Sequence, residues 1–325
     1  MDRDLILTFL RGALVVVLSF GVALALDRMS AARGLLPPGF RVPWRRALAL
    51  LVVAVFLMIG VFSPLGTLGL KAEPEPTHIA TPQLFLLHIL MVATIGVWFL
   101  LGFAGRAGHP PAPAAPVPLP LAGAGDPFLE GEPASPLLVE PLPVEPAPRV
   151  PLARRIAAQL GLLAPSILRE SGLGLLIGLG AWAAVLLAVV MVAVVVYLVG
   201  GQGALPKSPP ALIPLIAGLP VWTRCLLSLS AGLVEETFFR GFLQPRVGIA
   251  LSTACFALAH LSYGSPFLLV AVTLLSLIYA FLVRWRQNIW PAVVAHALFD
   301  GVQLLVLVPL ALRTLGEGKA AAFLW

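Results

Sequence analysis

Gly172–Val199 reads GLGLLIGLGAWAAVLLAVVMVAVVVYLV, with no acidic, basic or imidazole side chain along its length. About 20 apolar residues suffice for a helix to cross roughly 30 Å of hydrocarbon, so this run is long enough to span a bilayer. Seven further apolar runs flank it: Leu5–Leu26, Ala47–Leu68, Leu84–Ala104, Val221–Gln244, Ile249–Tyr263, Phe267–Val283 and Ile289–Leu312. The expected fold is therefore all-α, a polytopic membrane helical bundle of about eight transmembrane helices. Ile249–Tyr263 is short for a full crossing and is expected either to be tilted little or to end below the surface.

The composition agrees. Hydrophobic residues make up 59% of the 325 positions and charged residues 11%, against averages of about 45–50% and 25% in soluble domains. Leu5–Leu26 is followed by arginines and not by a small-residue cleavage site, so it is expected to be a retained helix. The two cysteines, Cys225 and Cys255, lie in apolar runs without the spacing of a zinc site and read as packing residues. Trp44, Trp285 and Trp290 fall at proposed boundaries and suit an interfacial belt. Gly174 and Gly178 suggest close helix contacts. Although the net charge is +6, the arginines sit at helix ends and form no single basic face, which argues against nucleic acid as a partner.

Residues 105–150 hold thirteen of the thirty-one prolines, among Ala and Gly. Proline lacks the backbone donor and blocks helix, so an extended cytoplasmic linker is expected there. It divides a three-span N-terminal part, residues 1–104, from a core of residues 151–325. Orientation follows from the basic residues of short loops. The first loop carries Arg28, Arg33, Arg41, Arg45 and Arg46, whereas the second has Lys71 against Glu73 and Glu75. Placing the first loop in the cytoplasm also puts Arg106, Arg149, Arg154, Arg155, Arg246, Arg284 and Arg286 there, with Lys207, Arg224, Arg313 and Lys319 opposite.

Ionisable groups inside spans cost about +2.5–3.5 kcal/mol each at mid-helix, so each needs a reason. Glu235, Glu236 and Arg240 share one span, His260 lies in the next, and His296 and Asp300 lie in the last. Residues four apart share a helix face: Glu236 with Arg240, Phe256 with His260, His296 with Asp300. At 1.5 Å per residue from the arginine boundary, Glu235, His260 and His296 lie roughly 16, 21 and 15 Å deep. That common layer allows three helices to bring a carboxylate and two imidazoles into one sheltered acid/base site. His88, in the third run, has no such motif partners and reads as structural.

Glu235-Glu236-Thr237-Phe238-Phe239-Arg240, Phe256-Ala257-Leu258-Ala259-His260 and His296-Ala297-Leu298-Phe299-Asp300 closely resemble, in order, the three motifs of the CPBP (CAAX protease and bacteriocin-processing) intramembrane protease family. Trp290-Pro291-Ala292 resembles the lead-in to the third motif, and Asp300 is a variant that motif permits. The resemblance extends over about Gly172–Leu312. It implies an intramembrane endopeptidase in which Glu235 and His260 activate a water and His296 and Asp300 bind the developing oxyanion. Glu236 is then the neighbour of the base, Arg240 its ionic partner, and Phe256 a shaper of the pocket. No cofactor is expected. The alternative is a zinc enzyme with Glu235, His260 and His296 as ligands and an open position; no His-Glu-x-x-His segment supports it.

A Gly-x-Ser-x-Gly elbow is missing, neither cysteine has a histidine at helical spacing, and Asp300 is the lone aspartate of the core. Serine, cysteine and paired-aspartate mechanisms therefore fit worse. A transporter relay would spread ionisable groups along a path, whereas these cluster at one depth. A scaffold that keeps the site without activity is the remaining non-catalytic alternative. The expected partners are the bilayer and a membrane-associated protein or peptide cleaved near its C-terminus or within a membrane segment. The expected location is a bacterial cytoplasmic membrane.

Overall fold

The computed structural model describes residues 3–67, 81–104, 150–206 and 212–316. The proline-rich stretch, apart from Val150, falls outside the described residues. Among those described, regular structure is helical throughout: α1 (Arg3–Ala32), α2 (Pro43–Leu57), α3 (Thr81–Phe103), α4 (Leu152–Gln159), α5 (Ile167–Gly200), α6 (Leu212–Ala217), α7 (Val221–Ser230), α8 (Ile249–Ala259), α9 (Pro266–Arg286) and α10 (Trp290–Val302).

Three of these rods run on through π-helical turns. α2 continues across Met58–Phe62, α7 across Ala231–Glu235 and Thr237–Leu243, and α10 across Gln303–Leu307. Among the described residues six helices are long and apolar enough to cross a membrane, namely Leu5–Ala32, Pro43–Gly66, Pro82–Phe103, Ile167–Gly200, Pro266–Arg286 and Trp290–Arg313, and Ile249–Tyr263 is a shorter apolar helix. The expected count of eight is not reached by that measure. The rod from Val221 is interrupted by its π turns and carries buried charges, while the helix after it stops at Ala259. The chain is nonetheless a multi-pass membrane helical bundle. Leu176, Leu187, Leu198 and Val199 on α5 are exposed, as lipid-facing side chains should be.

Local chemistry sets the helix ends. The Ser166 hydroxyl accepts from Arg169 N–H at the start of α5, and Ser265 does the same for Leu268 N–H before Pro266 opens α9. Arg284 and Arg286 close α9, where cations suit the carbonyl end. Glu170, 2% exposed, accepts two hydrogen bonds from Arg286 at 2.9 and 2.5 Å, clamping α5 to α9.

Close approach explains the inner packing. A Cβ on Gly174 would lie 2.6 Å from the Pro291 carbonyl oxygen, one on Gly178 would lie 3.0 Å from Ala295 Cα, and one on Gly232 would lie 2.6 Å from the Val293 carbonyl oxygen. α5 and the α7 rod thus both press against α10 through glycines, as expected where helices associate by backbone contact. The front helices share a core with the back ones. Phe56 meets Phe238 at 4.7 Å between ring centroids, Trp98 meets Phe242 at 5.4 Å, and buried Arg246 stacks over Phe242 at 4.5 Å.

Candidate active site

The π turns of the α7 rod present Glu235 and Glu236 to different surroundings. Glu235 lines a cavity of about 340 Å³, together with His88, His260, His296 and Asp300. Glu236 is fully buried behind that wall. Its Oε1 lies 3.0 Å from Arg240 Nη1 and accepts a hydrogen bond from His296 Nδ1–H at 2.8 Å. The motif spacing of four residues holds across the π turn.

His296 therefore stands between two carboxylates. Its Nδ1 is held by Glu236, and its Nε2 is 3.6 Å from Asp300 Oδ2 one turn along α10. A carboxylate on one ring nitrogen fixes the tautomer and aims the other nitrogen, here into the cavity. The Tyr279 ring stacks on this imidazole at 5.5 Å.

His260 caps α8. Its Nδ1–H donates to the Phe256 carbonyl at 2.8 Å, four residues back, which turns Nε2 toward Glu235 Oε2 at 3.9 Å. Phe256 packs against His260 at 4.5 Å between centroids and against His296 at 6.1 Å, with the Arg240 guanidinium 4.3 Å from its ring centre. This ring is a spacer between the two imidazoles, braced by a cation.

One participant comes from the front of the chain. His88 on α3 places Nε2 3.3 Å from Glu235 Oε1, and its Nδ1 is 3.1 Å from Ser230 Oγ. The sequence reading made this histidine structural because no motif surrounds it. The fold brings it across 147 positions of sequence onto the carboxylate. Tyr263, which meets His260 edge-on at 5.2 Å, and Tyr279 also line the cavity without any signal in their local sequence.

Glu235 thus has one oxygen engaged by His88, while Oε2 has no protein hydrogen-bond partner although it is buried. The sequence-derived residues Glu235, His260, His296 and Asp300 share one cavity; Glu236 and Arg240 lie behind it, and Phe256 forms part of its wall. Among the described residues no group of three or more His, Cys, Asp or Glu is disposed to hold a metal ion. Within the set Glu235, His260 and His296, His296 has Nδ1 on Glu236 and Nε2 3.6 Å from Asp300. Both cysteines are free, Cys255 buried and Cys225 half-buried.

Residues 217–302 match the family model described as Type II CAAX prenyl endopeptidase Rce1-like. This match bears out the resemblance to the CPBP family over that segment. The matched segment holds every motif residue from Glu235 to Asp300, and His88 lies outside it. The Bacillus subtilis (strain 168) protein YpbD, itself uncharacterized, is 34% identical over 77 residues, which is 23% of this chain and 41% of YpbD. The chain thus matches less than half the length of that relative. No solved structure matches.

Proposed function

We propose that the protein is an intramembrane endopeptidase that hydrolyses a peptide bond of a membrane-associated polypeptide by a water activated at Glu235. The observation that carries this reading is the pairing of two proton acceptors, Glu235 Oε2 and His260 Nε2, 3.9 Å apart in a buried cavity. Because His260 Nδ1 donates to a carbonyl, a neutral ring leaves Nε2 as an acceptor. A water between them donates a hydrogen to each and turns a lone pair toward substrate.

The water oxygen bonds to the carbonyl carbon while its proton passes to Glu235 or His260. His296 carries both ring protons, donating Nδ1–H to Glu236 and offering Nε2–H where charge develops on the carbonyl oxygen, with Asp300 beside Nε2. The C–N bond then breaks, and the proton held at Glu235 or His260 goes to the leaving amine. Burial strengthens each of these interactions over its value in water. The match to the CAAX endopeptidase model supports the reaction class.

The test uses full-length protein in detergent and metal-stripped buffer, offered a membrane-proteome peptide library, with and without added zinc. Wild type is expected to cleave without metal, and Glu235→Ala and His260→Ala are expected to be inactive. Activity that appears only with zinc would reassign the same side chains as ligands. Cleavage that survives in Glu235→Ala would remove the peptidase site from this cavity.

A further inference from the structure

Three carboxylates meet in the cavity or directly behind its wall: Glu235, Glu236 and Asp300. Among the described residues the family motifs set two cations against them. Arg240 pairs with Glu236 at 3.0 Å, and His296 carries its two ring protons between Glu236 and Asp300. His260 adds no charge, because its Nδ1–H goes to the Phe256 carbonyl and its Nε2 is the acceptor that faces the water. Tyr263 and Tyr279, the other titratable groups of the lining, are phenols. The motif residues by themselves thus leave one negative charge without a counter-charge in a buried site, where an unpaired ion is costly.

His88 supplies the missing charge. It is 8% exposed, it lies on α3 outside the matched segment 217–302, and its Nε2 stands 3.3 Å from Glu235 Oε1. The other ring nitrogen meets Ser230 Oγ at 3.1 Å, and that hydroxyl donates its hydrogen to the Leu227 carbonyl at 3.0 Å. An oxygen whose hydrogen is already donated acts toward a neighbour as an acceptor, so His88 Nδ1 carries a proton. Glu235, as the base, brings no proton of its own to Oε1, so Nε2 carries one as well. The ring is an imidazolium held between Ser230 and Glu235. Its place is fixed along the helix, since Trp98, further along α3, meets Phe242, further along the α7 rod, at 5.4 Å. Leu84 and Leu87 accompany His88 in the cavity wall.

We infer that His88 is a positioning residue of the hydrolysis and the third cation of the site, so that residues 81–103 belong to the catalytic unit. This rests on the peptidase reading given above. The imidazolium holds Glu235 by Oε1, which leaves Oε2 for the water shared with His260, and it balances the carboxylate that takes the water's proton. The site then sets three cations against three carboxylates, the third cation coming from a helix that no motif marks.

The test uses full-length protein in detergent, with thermal unfolding followed in every variant. On a peptide that wild type cleaves, His88→Ala and His88→Leu, the second keeping apolar bulk, are expected to lose about 10²-fold in kcat with KM little changed. His88→Gln keeps an N–H within reach of Glu235 and is expected to recover part of that loss. Wild-type kcat in His88→Leu would overturn the inference, since bulk alone would then suffice. A second readout needs no cleavage. In protein carrying isotope-labelled histidine, the nitrogen resonances of His88, identified by their loss in His88→Gln, are expected to show both ring nitrogens protonated in wild type and one of them bare in Glu235→Gln. A bare ring nitrogen on His88 in wild type would overturn the inference whatever the protein cleaves. The expected resonances in a wild type that cleaves no peptide would support the pairing and count against the peptidase reading.

Discussion

At the scale of residues, the site separates two adjacent glutamates by surroundings. Glu235 faces the cavity, whereas Glu236 is fully buried with its Oε1 engaged by Arg240 and His296. The division follows from helix geometry, since neighbours in sequence point about 100° apart and the rod can bury one while exposing the other. The motif reading found both residues but could not show that Glu236 meets His296, because the pair is separated by 60 positions. His88 was illegible for a related reason, as a lone histidine in an apolar run carries no spacing to read. Its contact with Glu235 yields a prediction that depends on the peptidase reading. His88→Ala should lower kcat on the order of 10²-fold, the cost of a misaligned base, with little change in KM. Steady-state kinetics on one peptide would check this, and an unchanged kcat would leave His88 as packing alone.

At the scale of elements, the runs of apolar residues located every long helix, because hydrocarbon length is written directly in composition. The π turns left no such mark. They add a residue to a turn without altering apolar content, and they occur here where the helix carries Glu235 and Arg240, in keeping with their frequency at functional sites. The glycine contacts were legible in α5 at Gly174 and Gly178, whereas the role of Gly232 needed the fold. A side chain at Gly232 would push α10 away from the α7 rod, at Val293 and Ala297. That displacement would draw His296 off Glu236 while leaving Glu235 and His260 paired. Gly232→Val is accordingly expected to cost about 1–3 kcal/mol of stability, as overpacking does, and to reduce cleavage more than its thermal unfolding accounts for. Wild-type turnover in this variant would show that α10 tolerates the shift.

At the scale of the molecule, the helices of residues 1–104 are joined to the family-matched segment by aromatic packing at Phe56, Trp98 and Phe242 and by His88 at the site. The sequence separated the two parts by a change in composition, and it had no means of reporting that their faces share a core. Charge at the bundle ends was legible from the arginines alone, but the cavity gathers side chains from seven stretches of chain and appears only once they are folded together. The account stands on Glu235 as the group that activates water. The most direct measurement is the rate of cleavage of one library-derived peptide by wild type and by Glu235→Gln, which keeps the shape and removes the charge, in metal-stripped buffer, with thermal unfolding followed alongside. A loss of about 10²–10⁴-fold in kcat, the span of general base catalysis, with unfolding unchanged is the predicted result. Comparable rates for the two proteins would contradict it.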